Sequence, residues 1–296
     1  MLKLKGPLLI ASNHPNSFLD AVILATLFDQ PVHALARGDV FNTPFLTKFF
    51  AAIKILPVYR ITEGAHNLQE NYTTFDACEE IFKKKGVVLI FSEGNCQNEW
   101  HLRPLKKGTA RLALNSWKEG VSVKVLPLSI NYDSFRSFGK NIKIRTGELI
   151  TEKDIDIAEP YGKNIQSFNE KLQSQLQQLV VQIDSKDTAA IHKEFYHPIS
   201  TFKKIALALP ALIGWLVHAP IYYPSKKIGW NMVYHKDHVD SMVASLIFLS
   251  YPLYLTLWSV LVYWLVGGWW WLLVWAIFPF LAWSCIQLKN QADKAK

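Results

Sequence analysis

The sequence is poor in the residues that build covalent or metal-held scaffolds. Only Cys78, Cys96 and Cys285 occur in 296 residues, far apart. They make no disulfide framework and no metal-ligand spacing, and they suit a reducing compartment. No signal peptide is expected at the N-terminus: the apolar run 8–11 is too short, and no small-residue cleavage site follows. No internal repeat is present. Neither Ser17 nor Cys96 lies in a Gly-x-Ser-x-Gly elbow. The largest gap is in charge. Across residues 241–288, a run of 48, there is no Asp, Glu, Lys or Arg. One membrane span needs about 20 residues, so this run reads as two. Gly267-Gly268 marks the turn, and Trp269-Trp270-Trp271 falls where an aromatic belt belongs.

What is abundant agrees with that. Half of the residues are hydrophobic, with 11 Trp, and the net charge is +8. Residues 1–200 carry 24 Lys/Arg against 21 Asp/Glu, and residues 201–296 carry 8 against 3. The excess sits mostly in the apolar third, where it faces anionic lipid rather than nucleic acid. The stretch 205–225 is long enough to span but holds Pro210, Pro220, Pro224 and His218. A crossing would put Lys203-Lys204 and the loop with Lys226, Lys227 and Lys236 on opposite faces. The positive-inside tendency favours both on the cytoplasmic face. A re-entrant or interfacial segment is therefore expected, with Gly267-Gly268 outside and Asp240 and Lys289 inside. His235 and His238 read as polar loop residues rather than a metal pair. The expected organisation is an α/β domain over 1–200, the re-entrant or interfacial segment and basic loop over 201–240, a two-span hairpin over 241–288 and a polar tail over 289–296.

Within 1–200, apolar strand-like runs at 8–11, 32–36, 55–60, 86–91, 123–132 and 141–150 alternate with helical patterns. That order predicts a mixed sheet flanked by helices. Ile165, Phe168, Leu172, Leu176, Leu179 and Ile183 keep helical spacing and predict an amphipathic helix over 163–184. Residues 40–53 place Phe41, Phe45, Leu46, Phe49 and Phe50 at roughly helical spacing, interrupted by Pro44, with Lys48 and Lys54 at the edges. A core helix and a helix dipping into a bilayer surface fit this equally. Pro127, inside the run 123–132, predicts an edge strand or a bulge that would open a pocket wall.

The chain is organised around Asn13-His14-Pro15-Asn16-Ser17-Phe18-Leu19-Asp20. A strand leads in and a helix leads out. Pro15 steers His14 away from the α region, so His14 lies in the loop. Asn16 or Ser17 can cap the helix, which places Asp20 in its first turns. Its carboxylate can then fold back on the imidazole and fix the tautomer, leaving the other nitrogen as a general base. The strand 86–91 ends in Ser92-Glu93-Gly94, where open α/β sheets place ligands. Arg60 ends another strand, and an arginine there is either a solvated cap or a planar fork for phosphate. Arg103, Lys106 and Lys107 precede a helix N-terminus, a weak anion-site signal on its own.

Four motifs in order make the chain resemble the phospholipid/glycerol acyltransferase family. They are Asn13-His14 to Asp20, Leu56-Pro57-Val58-Tyr59-Arg60, Phe91-Ser92-Glu93-Gly94 and Val125-Leu126-Pro127-Leu128. Lys106-Lys107-Gly108 falls where the family has Lys-x-Gly. The resemblance covers roughly 6–150. Five residues separate His14 from Asp20 where most members have four, similar to a branch that acylates glycerol 3-phosphate or dihydroxyacetone phosphate. Ser92 stands for the usual proline, and Asn95-Cys96 for the usual Thr-Arg, so one customary phosphate contact is missing. Relatives usually carry an N-terminal helical segment before the first motif; either the C-terminal hairpin replaces it or the true start lies upstream.

The resemblance implies acyl transfer from acyl-CoA or acyl-carrier protein to a glycerol phosphate hydroxyl, on the cytoplasmic face of a membrane. His14 is then the base, with Asp20 as its partner. Arg60, Glu93 and Gly94 hold the acceptor, Arg103 with Lys106 or Lys107 assists with phosphate, and Pro127 shapes the acyl site. No metal or bound cofactor is implied. Acylation of lysophosphatidate or another lysolipid is the alternative within the class. A non-catalytic lipid-binding membrane protein is the alternative outside it.

Overall fold

Short apolar runs bounded by glycine, proline or charge become the strands of one sheet. The structure, a computed structural model, describes residues 3–58, 65–156 and 159–288, with the backbone alone over 65–73. The strands are β1 (Leu8–Ser12), β2 (Val32–Arg37), β3 (Ile55–Val58), β4 (Val87–Phe91), β5 (Lys124–Tyr132) and β6 (Ile142–Thr146). Helices α1 (Ser17–Ala25), α2 (Pro44–Ala52), α3 (Ala65–Lys83), α4 (Gly108–Lys118) and α5 (Tyr161–Leu179) connect and follow them. The sheet order is β3-β2-β4-β1-β5-β6. β1 pairs parallel with β4 and β5, and β2 parallel with β3 and β4. After β6 the chain runs antiparallel to β5, where Val125 and Ile150 exchange N–H···O bonds of 2.8 Å. The sheet is thus mixed, as the order of runs predicts.

By contact density the chain forms two units. One comprises Met1–Pro15, Leu19–Asn131 and Lys143–Gln182, the other Asn16–Phe18, Tyr132–Ile142 and Ile183–Lys296. The core of the first lies on the sheet face carrying Leu9, Ala11, Val88, Ile90 and Val125. Phe82 of α3, Ala113 and Trp117 of α4, and Ile165, Phe168, Leu172 and Leu176 of α5 cover it. α5 therefore buries the stripe its spacing predicts. It stops at Leu179, short of 184, because Val180 is extended and the N–H of Val181 donates to Asn131 Oδ1 at 2.8 Å.

Two prolines behave differently from expectation. Pro44 does not interrupt a helix but starts one: it occupies the first turn of α2, where its missing N–H is no loss, behind a Thr43 cap. Pro127 marks neither an edge nor a bulge, since β5 lies between β1 and β6 with Pro127 in register opposite Ala11. Its carbonyl accepts the N–H of Gly147, so its donorless nitrogen faces that same side and the β1 ladder is undisturbed. By strand alternation it shares the core face with Val125.

The second unit contains α6 (Thr188–Phe195), α7 (Thr201–Met232), α8 (Val239–Val266) and α9 (Val274–Leu288). Three stretches, 201–232, 236–266 and 270–288, are long and apolar enough to cross a membrane. Gly267 and Gly268, with φ +71° and +62°, end α8, as the sequence predicts for the turn. α7 is one helix through Pro210, Pro220 and Pro224. Lys203 near its start bonds Gln287 at the end of α9. His218 at its middle touches Tyr251 and Phe278. Gly229 near its end packs on Val243, close to the start of α8.

Candidate active site

β1 and β4 are adjacent and parallel, with Ser12 opposite Phe91. Two residues beyond each strand, His14 and Glu93 leave the sheet side by side at its carboxyl edge. The His14 N–H donates to Glu93 Oε2 at 2.7 Å, and the Arg103 N–H donates to Glu93 Oε1 at 2.8 Å. Asn13 clips the same loop to β5. Its Nδ2 donates to the Ile130 carbonyl at 3.0 Å, and its Oδ1 accepts the Ile130 N–H at 2.9 Å. Asn98 Nδ2 donates to the Pro15 carbonyl at 2.7 Å, and Gln97 N–H to the His14 carbonyl at 3.2 Å.

The imidazole is fixed in two directions. Its face stacks on Phe91, with ring centroids 3.9 Å apart and an angle of 11°. Its Nδ1 lies 2.9 Å from Asp20 Oδ2. Asp20 is fully buried in the first turn of α1, where the helix dipole favours a negative charge. A carboxylate only accepts, so Nδ1 carries the proton and the lone pair sits on Nε2. The His14 side chain is 19% exposed, and Nε2 has no protein partner among the described residues. The arrangement can take a proton from a hydroxyl presented to Nε2.

Glu93 ties together two loops of the site through their backbone. It is buried, and its two oxygens are taken by two backbone N–H groups. Burial pushes its pKa up, and those two hydrogen bonds pull it back down. Glu93→Gln would set an amide NH2 against one of these N–H donors. The cost expected of an unmet buried donor is about 1–3 kcal/mol, read as a lowered melting temperature together with slower turnover.

Gly94 adopts φ +66°, and a Cβ there would come within 2.8 Å of Lys106 Cγ. Ser92, where the resembling family has proline, uses its hydroxyl: Oγ lies 2.9 Å from Thr109 Oγ1 in the first turn of α4. Its carbonyl accepts the Lys106 N–H at 2.7 Å. Lys106 and Lys107 point to solvent beside the α4 N-terminus. Arg103 Nη1 is buried and has no hydrogen-bond partner among the described residues. Arg60 lies outside the described residues. Pro127, in register with Ala11, faces the core and not the loop that carries His14. The sequence motifs include Phe91 and Asn13 but assign neither the stacking nor the clip. A buried asparagine just before the histidine was the available signal.

Residues 1–131 match the acyltransferase family model. Among solved structures, the crystal structure of the 1-acyl-sn-glycerophosphate (LPA) acyltransferase PlsC from Thermotoga maritima matches at 14% identity and a TM-score of 0.37. That match covers 57% of this chain and 66% of that one, just under two thirds of its length. No curated protein matches.

Proposed function

We propose, because residues 1–131 match the acyltransferase family model and carry the motifs of the phospholipid/glycerol acyltransferases, that the chain moves a fatty acyl group from a thioester to a hydroxyl of glycerol 3-phosphate or dihydroxyacetone phosphate. The observation that carries the chemistry is the His14–Asp20 pair with its open Nε2. The acceptor hydroxyl gives its proton to Nε2 while its oxygen attacks the thioester carbonyl. Asp20 holds the imidazolium that forms. Collapse of the tetrahedral species breaks the C–S bond, and the departing thiolate takes the proton from Nε2. No acyl-enzyme forms.

Arg103 is the group best suited to the acceptor phosphate. Its backbone is pinned to Glu93, the clamp that also pins His14, and its Nη1 is a buried cationic donor without a partner among the described residues. A guanidinium in that state is stabilised by an anionic oxygen. Arg103→Ala is expected to raise the KM for a phosphorylated acceptor about 10- to 100-fold, the size of one charge-assisted hydrogen bond. The turnover of an uncharged glycerol acceptor should be unchanged. An equal effect on both acceptors excludes the assignment.

The contacts of α7 support the orientation. At 1.5 Å per residue, Tyr251 lies about 18 Å along α8 from its start, and Phe278 about 15 Å along α9 from its end. His218 meets both. Yet Lys203 meets Gln287, and Gly229 meets Val243, both near the same end of the hairpin. α7 on this reading is the re-entrant or interfacial segment, with both of its ends on one side of the bilayer. Lys203, Lys204, Lys226, Lys227 and Lys236 then share one face, which the positive-inside tendency makes cytoplasmic.

The deciding assay offers the purified membrane protein radiolabelled palmitoyl-CoA with glycerol 3-phosphate and, in parallel, with lysophosphatidate. Product from glycerol 3-phosphate supports the reading. Product from lysophosphatidate alone moves the chain to the second acylation. No product from either donor class, acyl-carrier protein included, overturns it.

A further inference from the structure

Sequence alone leaves residues 40–53 balanced between a core helix and a bilayer-surface helix. The structure removes the first option. α2 has no buried residue at all. Phe45 is 76% exposed, Phe49 48% and Ile53 42%. These three lie four residues apart, so they form one stripe along the helix. Phe41 and Phe50 are half-buried and gather beside the stripe: Phe41 meets Phe50 in a tilted contact at 5.0 Å, and Phe50 meets Phe49 edge-on at 5.6 Å. Lys48 and Lys54 flank it, both exposed, and Thr47 turns its hydroxyl back to the helix backbone.

A single exposed phenylalanine needs no explanation. A stripe of them on a nine-residue helix does. A helix this short is marginal in water and normally holds its shape by docking an apolar face. α2 turns Leu46 and Phe50 partly inward but leaves the Phe45–Phe49–Ile53 stripe uncovered among the described residues, and it leads into β3, the edge strand of the sheet. An aromatic stripe with basic flanks is the pattern of a helix lying in a membrane interface.

We infer that α2 is a second, independent membrane contact: its Phe45–Phe49–Ile53 stripe inserts into one leaflet of a bilayer containing anionic lipid. Two observations commit the stripe to this occupant. Lys48 and Lys54 match anionic headgroups, each such cation adding to binding near the surface. And the same chain holds helices long and apolar enough to keep it at a bilayer, so the leaflet is present at high effective concentration and a weak insertion suffices. The inference does not depend on the acyl-transfer reading, since insertion is read without substrate.

The test uses the full chain in vesicles of phosphatidylcholine with one-third phosphatidylglycerol. In a Cys285→Ser background, with Cys78 and Cys96 buried, an environment-sensitive fluorophore is attached at Phe45→Cys. The control carries it at Lys118→Cys, an exposed position on α4. Lipids bearing a nitroxide on the acyl chain should quench the label at 45 several-fold more than the label at 118. Lys48→Glu with Lys54→Glu should reduce that difference in the anionic vesicles and change it little in pure phosphatidylcholine. Equal quenching at 45 and 118 overturns the inference. A label at 45 that is shielded from water but untouched by lipid nitroxides also overturns it, because the stripe is then covered by protein, a second copy included. Phe45 is mostly exposed, so its replacement leaves the core intact, and unchanged circular dichroism of the variant checks this.

Discussion

His14→Ala is expected to remove acyl transfer to the limit of detection while the chain still folds and stays in the membrane. The general-base contribution alone is typically about 10²–10⁴ in rate. Glu93 offers no substitute at that point, because both of its oxygens are committed to backbone N–H groups. Removal of the ring has a structural side effect that must be separated. Asp20 is fully buried, and loss of one partner there costs about 1–3 kcal/mol. His14→Asn keeps a short polar side chain near Asp20 and cannot act as a base. Both variants should be inactive, and the asparagine variant should melt closer to the parent. Retained turnover in either, measured with radiolabelled acyl thioester, excludes the general-base role.

Much of this site could be read before the fold was known, and the reason is local. The His–Pro junction, the first-turn acid and the strand before them all lie within 13 residues, where steric and capping rules act directly. What lay hidden is long-range. That Glu93 clamps His14 and Arg103 depends on the Ser12–Phe91 register, which no local pattern encodes. The same holds for the clip between Asn13 and Ile130, 117 residues apart. Pro127 shows how a sound rule misleads. Proline is excluded from a central strand because of a missing donor, but here that donor would face the Gly147 side, and β1 pairs on the other. Pro44 shows the reverse: the same residue breaks a helix interior or starts a helix, and only the Thr43 cap decides which.

The second large effect is expected at Asp240, where the sequence shows only a charge at the edge of an apolar run. Within the second unit, its Oδ2 accepts from Lys140 Nζ and from Asn16 Nδ2, the latter at 2.9 Å. The side chains of Lys140 and Asp240 are 8% and 9% exposed. Ser241 Oγ donates to the Asn16 carbonyl at 3.2 Å, and His238 Nδ1 lies 2.7 Å from Ser17 Oγ. Breaking a buried ion pair by removing one partner typically costs about 3–5 kcal/mol, because the other charge is stranded. Asp240→Ala should therefore lower the unfolding midpoint in detergent sharply, and Lys140→Met nearly as much. Replacing both with apolar residues, Asp240→Leu with Lys140→Met, strands no charge and should recover most of the loss. It cannot restore the bond to Asn16. Because Asn16 and Ser17 lie in the chain between His14 and Asp20, the double variant should stay slow in turnover at nearly parental stability, with KM little changed. A double variant as active as the parent would mean that the cluster serves stability alone. Additive losses in the two single variants would mean that Lys140 and Asp240 are not coupled.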